Sequence, residues 1–552
     1  MKKRIFSNKT VLKYAACLLI FSILCVHTVL SQNAPHLKKE GNRTQLIVNG
    51  EPFLSLAGEL HNSSSSSLEY MEKLWPTLRQ LNLNTVLAPV SWELVEPEEG
   101  QFDFALVDGL IAQARKNDMK LIFLWFGSWK NLVSTYAPAW VKNNPKRFPL
   151  FYNKDNEKYQ MLSSFAVEAQ KADARAFAAL MKHIKQADAA QQTVIMMQVE
   201  NEVGTDFGER DHSTLADKAY NGQVPAQLMT YLQKQKKALK PELKQLWADN
   251  GYKTTGTWPE VFGNGQLCNE IFMAWHLALY IGEVIKAGKA EYDIPMFVNA
   301  SVGRQSLKPA TYPSGGPVPF VMDVWYAAAP GLDMLCPDIY RGDFDYICRE
   351  YTFGGTPLYI PEATRAGDMG AINAIKAFCN HGAMGFSPFG IERYYDNAQV
   401  AESFSQMYGV LNELTPLILK KTPRQEMIAL VADTAKKEYS ATIGKYKIDY
   451  STRWKEQGYA IVINTAPDEF LVVGKNINVH FSLANRTKNQ VTGILSAEEG
   501  RYEAGRWKAE RRMNGDEIML DYGFSSQYKK GKSGNGLAFG GLSMQWVKLY
   551  AY

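Results

Sequence analysis

The feature that most constrains this chain is an alternation. Eight short apolar runs recur along it: Phe53–Ala57, Thr85–Val90, Lys120–Phe126, Val194–Val199, Met296–Val298, Met334–Leu335, Pro357–Ile360 and Ala383–Phe386. Runs this short and this apolar suit strands buried on both faces. Most are separated by segments of helical period. Leu68, Met71, Leu74, Leu78 and Leu81 form one stripe, Phe177, Leu180 and Ile184 another, and helices are expected at Ala105–Asn117, Glu270–Ala287 and Ala398–Leu414. Buried strands alternating with helices make a mostly parallel sheet, and eight such units fit a (β/α)8 TIM barrel, with a doubly wound open sheet as the alternative. Ahead of the first unit, Gln45–Val48, Asn49-Gly50 and Pro52–Leu56 read as a hairpin with a tight turn.

After about Thr422 the texture changes. Ile461–Asn464, Phe470–Val473, Asn478–Leu483, Ile518–Leu520 and Gln545–Tyr550 are short and β-rich with turn residues between them, the pattern of an all-β, sandwich-like domain. The expected division is 1–31 signal peptide, 32–420 catalytic barrel and 421–552 β-domain. Gly204–Leu267, after the fourth strand, is long for a connection, and its Lys234–Lys244 stretch reads as the solvated face of a helix.

Charge narrows the partners. Residues 1–31 hold five of the 61 basic residues and no acid, so the remainder carries 56 of each sign. A neutral mature chain lacks the basic field that a nucleic-acid partner requires. The basic stretch Lys2–Lys13, the apolar run Tyr14–Leu30 and the small Ser31 before Gln32 resemble a cleaved export signal, ahead of a membrane anchor or a lipoprotein. Export places the protein in the periplasm or outside the cell, with no membrane span in the mature chain. Cys268, Cys336, Cys348 and Cys379 are widely spaced and read as buried thiols, one disulfide being compatible with that compartment. The eight histidines form no H-x-H or H-E-x-x-H pattern, and Gly531-Lys532-Ser533 has Ser526 where a phosphate loop needs its first glycine. Neither a metal nor any other cofactor is expected. Oligomeric state is not legible.

The chemistry belongs at the strand ends, because in a barrel the carboxyl ends of the strands share one mouth. There the chain places Glu59, Trp125, Trp129, Glu200, Asn201, Glu202, Asn299, Tyr340 and Glu362. Carboxylates, amides and large aromatic rings suit a sugar. Glu202 and Glu362 stand out, since a carboxylate ending a buried strand is costly without a partner or a task. Glycoside hydrolysis needs two carboxyls flanking the scissile bond, about 5–5.5 Å apart in retaining enzymes.

Gln198-Val199-Glu200-Asn201-Glu202 resembles the acid/base signature of family 35 glycoside hydrolases, the β-galactosidases. Gly58 with His61, and Trp92-x-x-x-Glu96-Pro97, match that family's motifs in part. The resemblance runs from Leu46 to Thr415, and the C-terminal part is similar to the β-domain of a bacterial branch found with xyloglucan-degrading systems. It implies Glu202 as acid/base, Glu362 as nucleophile, Asn201 on the sugar 2-hydroxyl, Glu200 on a further hydroxyl, and Tyr340 orienting the nucleophile. The chain departs from the family at Gln191-Gln192-Thr193, Val95 and Val203, and Phe126-Gly127-Ser128-Trp129 replaces the Asn-Ala-Glu that reads galactose. Glu59 is a candidate substitute for that missing carboxylate, and Trp125 or Trp129 for a stacking face. The expected activity is release of β-linked galactose from oligosaccharides with retention. An endo-β-glucanase or mannanase using the same pair is the alternative, and a non-catalytic sugar-binding barrel ranks third.

Overall fold

The computed structural model describes residues 34–552, apart from 42, 207, 303–310, 341–342, 365–367, 397, 486–489 and 519–535. The expected signal segment and Gly531-Lys532-Ser533 lie outside the described residues. Each of the eight apolar runs becomes a strand of one closed barrel: Ser55–Glu59, Thr85–Ser91, Lys120–Lys130, Val194–Asn201, Met296–Ser301, Met334–Ile339, Ile360–Ala363 and Gly385–Pro388. Neighbours pair in parallel and the eighth strand closes on the first, which rules out the doubly wound sheet. Continuous apolar sequence is explained by double coverage: every residue of Thr85–Ser91 is buried, between the barrel interior and the outer helices.

The floor of the barrel is plugged from below. Arg43–Val48 and Glu51–Phe53 pair antiparallel through Asn49 and Gly50, whose φ values of 53° and 82° suit a two-residue hairpin turn. Leu46 and Val48 pack with Leu87, Ile122, Phe297 and Tyr359 of the barrel strands. The hairpin arm stops at Phe53, earlier than expected, because Ser55 donates its N–H to Met384 O (2.9 Å) and enters the barrel. The hairpin fills the amino end of the barrel and leaves the carboxyl end as the mouth.

The long insertion after the fourth strand folds as four short helices, Thr214–Tyr220, Ala226–Gln235, Pro241–Asp249 and Trp258–Phe262. Lys234–Lys244 is therefore not one solvated face. The helix breaks before Pro241, whose ring suits a first turn, and Lys240 is buried on Glu350 (2.6 Å). Gln266–Glu291 follows, a helix long and apolar enough to cross a membrane, but 67% of its most apolar window is buried inside the fold.

Beyond the last barrel helix, Ala398–Ile418, two antiparallel sheets of six and four strands stack face to face around Ile448, Val462, Phe470, Val479, Phe481 and Leu537. Of the expected strands only Ile518–Leu520 differs: Gly515–Ile518 is a short 3-10 turn, and the rest lies outside the described residues. The larger sheet docks on the barrel. Asn380, at the end of helix Met369–His381, donates to Ala429 O (3.2 Å) and accepts from Ala429 N (2.8 Å), and Ile461, Ile463, Leu471 and Val473 belong to the same apolar core as the barrel helices. All four cysteines are free and buried, so no disulfide links them.

Candidate active site

Strict strand alternation would send Gln198, Glu200 and Glu202 to one face. The backbone breaks that rule. Glu200 and Glu202 have φ of 61° and 42°, a left-handed conformation that costs a non-glycine residue about 1–3 kcal/mol and persists only where the surroundings hold it. As a result Glu200 turns onto the third strand. It accepts from Ser128 N (3.0 Å) and Trp129 N (2.6 Å) and lies against the equally buried Asp173. Burial, then Asp173, holds its carboxyl well above the usual range. Asn201 and Glu202, though consecutive, both face the mouth.

Two further residues fix them. The third strand runs on to Lys130 and turns tightly at Asn131 and Leu132, whose φ values are 50° and 65°. Lys130 Nζ donates to Asn201 Oδ1 (2.8 Å), and Asn131 Nδ2 donates to Glu202 Oε2 (2.6 Å). From the fifth strand, Asn299 Oδ1 accepts the backbone N–H of Glu202 (2.9 Å). Glu362, on the seventh strand, receives three donors: the Tyr340 hydroxyl on Oε2, and Asn201 Nδ2 (3.2 Å) and Asn299 Nδ2 (3.3 Å) on Oε1. Such convergence of donors suits an ionised carboxylate.

Carboxyl oxygens of Glu202, Asp338 and Glu362 lie within 4.8 Å of one another. Burial first, and the Glu362 carboxylate second, push Glu202 up to about 7, while Lys130 opposes the rise. The pair opens into a cleft of about 590 Å³, lined by Lys130, Asn131, Tyr340 and Phe389 among others. A larger cavity of about 1340 Å³, bordered by Arg43, Pro357 and Thr422, shares no residue with it. That cavity lies beside the N-terminal sheet, away from the chemistry.

The structure thus brings together Glu202, Glu362, Asn201, Asn299 and Tyr340. It corrects three expectations. Glu200 binds the backbone of the third strand and does not line the cleft. Trp125 and Trp129 are buried and donate their ring N–H groups to Asp173 (2.8 Å) and Leu162 O (2.9 Å), so neither offers a face to a sugar. Glu59 is fully buried just below the cleft, neither oxygen has a donor, and burial followed by Glu362 raises it well above the usual range. Lys130, Asn131 and Asp338 are site residues that sequence reasoning missed. Asp338 carried a signal, an acid ending a buried strand two residues before Tyr340. Lys130 and Asn131 carried none, because the strand runs past its apolar part.

A closed parallel barrel with a buried, closely spaced carboxyl pair at its carboxyl-end mouth defines the class of barrel glycoside hydrolases. Comparison with known proteins narrows this. The glycoside hydrolase family 42 model, described as Beta-galactosidase, matches residues 63–265, and a domain of unknown function, DUF5597, matches 404–524. A "Beta-galactosidase" of Xanthomonas manihotis is 40% identical over 62 residues, which are 11% of this chain and 10% of that protein. "Beta-galactosidase 13" of Arabidopsis thaliana is 29% identical over 126 residues, 21% of this chain and 14% of that one. The chain thus matches only a small part of the length of these relatives. Among solved structures, the β-galactosidase of Bacillus circulans sp. alkalophilus aligns with a TM-score of 0.47 at 16% identity, over 68% of this chain and 58% of that one. Residues 63–265 of the barrel are thus similar to a β-galactosidase family model. The matching model is that of family 42, where the motif had pointed to family 35.

Proposed function

We propose that the protein is a retaining exo-glycoside hydrolase that releases β-linked galactose from oligosaccharides, xyloglucan side chains among them. The observation that carries this is the carboxyl oxygens of Glu202 and Glu362 within 4.8 Å of each other. That spacing is short for an inverting pair, which leaves room for water at about 6.5–9.5 Å. Glu362, ionised under its three donors, attacks the anomeric carbon. Glu202, held protonated near neutrality, donates its proton to the departing oxygen. In the second step Glu202 takes a proton from water as that water displaces Glu362, restoring both carboxyls. Galactose as the sugar rests on the β-galactosidase match over 63–265. The family 35 reading rests on Gln198–Glu202, and the xyloglucan link on the β-domain resemblance. Residues 1–31 are read as an export signal for the periplasm or beyond.

Glu362→Gly tests the assignment. Turnover of an aryl β-galactoside is expected to fall on the order of 10⁴-fold. Azide should restore it, with an α-galactosyl azide as product. Loss without rescue removes Glu362 as nucleophile. Faster hydrolysis of aryl β-glucosides or of a β-glucan or mannan polymer would replace the galactose reading with the same-pair alternative.

A further inference from the structure

The fifth, sixth and seventh strands are in register through Ser301, Asp338 and Glu362. Neighbouring strands lie about 4.8 Å apart, so the Asp338 and Glu362 carboxyls stand side by side, with Glu202 closing a triangle. Three carboxyls this close, all buried, do not ionise together. Hydrogen bonding shows how the protons divide. Glu362 is surrounded by donors. Asp338 has one, Asn299 Nδ2 on Oδ2 (2.8 Å), while its Oδ1 is buried and receives no donor. An ionised Asp338 would leave that oxygen out of water without a partner, which is unfavourable. A protonated Oδ1 instead becomes a donor beside two carboxyl acceptors.

We propose that Asp338 is held as a neutral carboxylic acid that donates its Oδ1 proton to the Glu202 carboxyl, which makes it a positioning residue for the acid/base. The inference rests on the functional reading above. The groups facing Asp338 are Glu59 from the first strand, Glu202 from the fourth, Glu362 from the seventh, and Tyr340 and Tyr351 that follow its own strand. Burial and then the carboxyls at 362, 202 and 59 raise Asp338 well above the usual aspartate range, in the same sense as the hydrogen bonding. When Glu202 gives its proton to the leaving oxygen, the Asp338 O–H stabilises the new carboxylate without transferring its own proton. When Glu202 takes a proton from water, Asp338 keeps its own again.

The sign of a pH shift tests this. In Asp338→Asn the amide N–H replaces the acid O–H and the amide oxygen accepts from Asn299. Its kcat should fall within about tenfold, with the basic limb of kcat/KM little moved. Asp338→Ala removes the donor without removing a charge, so kcat should fall by about 100-fold and the basic limb should move to higher pH. If Asp338 is ionised, both variants delete a negative charge and both limbs move to lower pH, which overturns the proposal. An infrared difference spectrum with ¹³C-carboxyl aspartate provides a readout free of turnover. A protonated-acid band at pH 7, lost in Asp338→Asn, is expected, and its absence overturns the proposal. If the band is present and no glycoside is turned over, it is the functional reading that falls.

Discussion

Burial, and then the Glu362 carboxylate, push Glu202 up to about 7, into the range a general acid working near neutrality requires. Its protonated fraction falls as pH rises through about 7, and kcat/KM should decline by up to tenfold per pH unit above that. The same shift has a consequence for stability. The folded-state value is raised, so between about 4.5 and about 7 the native protein keeps a proton that the unfolded chain has released. Stability is therefore lost as pH rises across that window and levels off above it. Glu202→Gln removes the titration. Its melting temperature should exceed that of the wild type at pH 8, with no gain at pH 4. An equal gain at both pH values would mean that Glu202 is not the titrating group.

At the scale of elements, the site is assembled by the third strand as much as by the fourth and seventh. Gly127 lets that strand pass close to its neighbours: a Cβ there would stand 2.4 Å from Trp125 Nε1 and 2.7 Å from Glu200 Oε1. Gly127→Ala should cost about 1–3 kcal/mol in urea denaturation, and it should lower kcat, because Lys130 and Asn131 lie just beyond. Unchanged kcat in a destabilised variant would separate the close approach at Gly127 from the chemistry. The barrel is legible in the sequence because strands buried on both faces must be apolar throughout, and eight such runs have few other arrangements. Glu202 and Glu362 are legible because acids end two of those runs. Glu200 misleads for a physical reason: left-handed backbone at positions 200 and 202 overrides strand alternation, and nothing in Glu-Asn-Glu announces it. Trp125 and Trp129 look like sugar platforms only until Asp173 and Leu162 O are found to take their ring N–H groups. The roles of Lys130, Asn131 and Asp338 depend on register among several strands, which no local pattern encodes.

At the scale of the molecule, barrel and β-domain share apolar packing, and Asn380 clips the helix behind Glu362 to strand Met427–Ala432. A single calorimetric transition is expected, whereas two well-separated transitions would show that the parts unfold independently. Removing residues 421–552 should lower the melting temperature of the barrel, by exposing the faces that Ile461, Ile463 and Leu471 cover. All of this architecture serves one spacing, that between Glu202 and Glu362. Its most direct test is the configuration of the first sugar released from an aryl β-galactoside, followed by proton NMR before mutarotation. The account predicts that β-galactose appears first; α-galactose appearing first would contradict it.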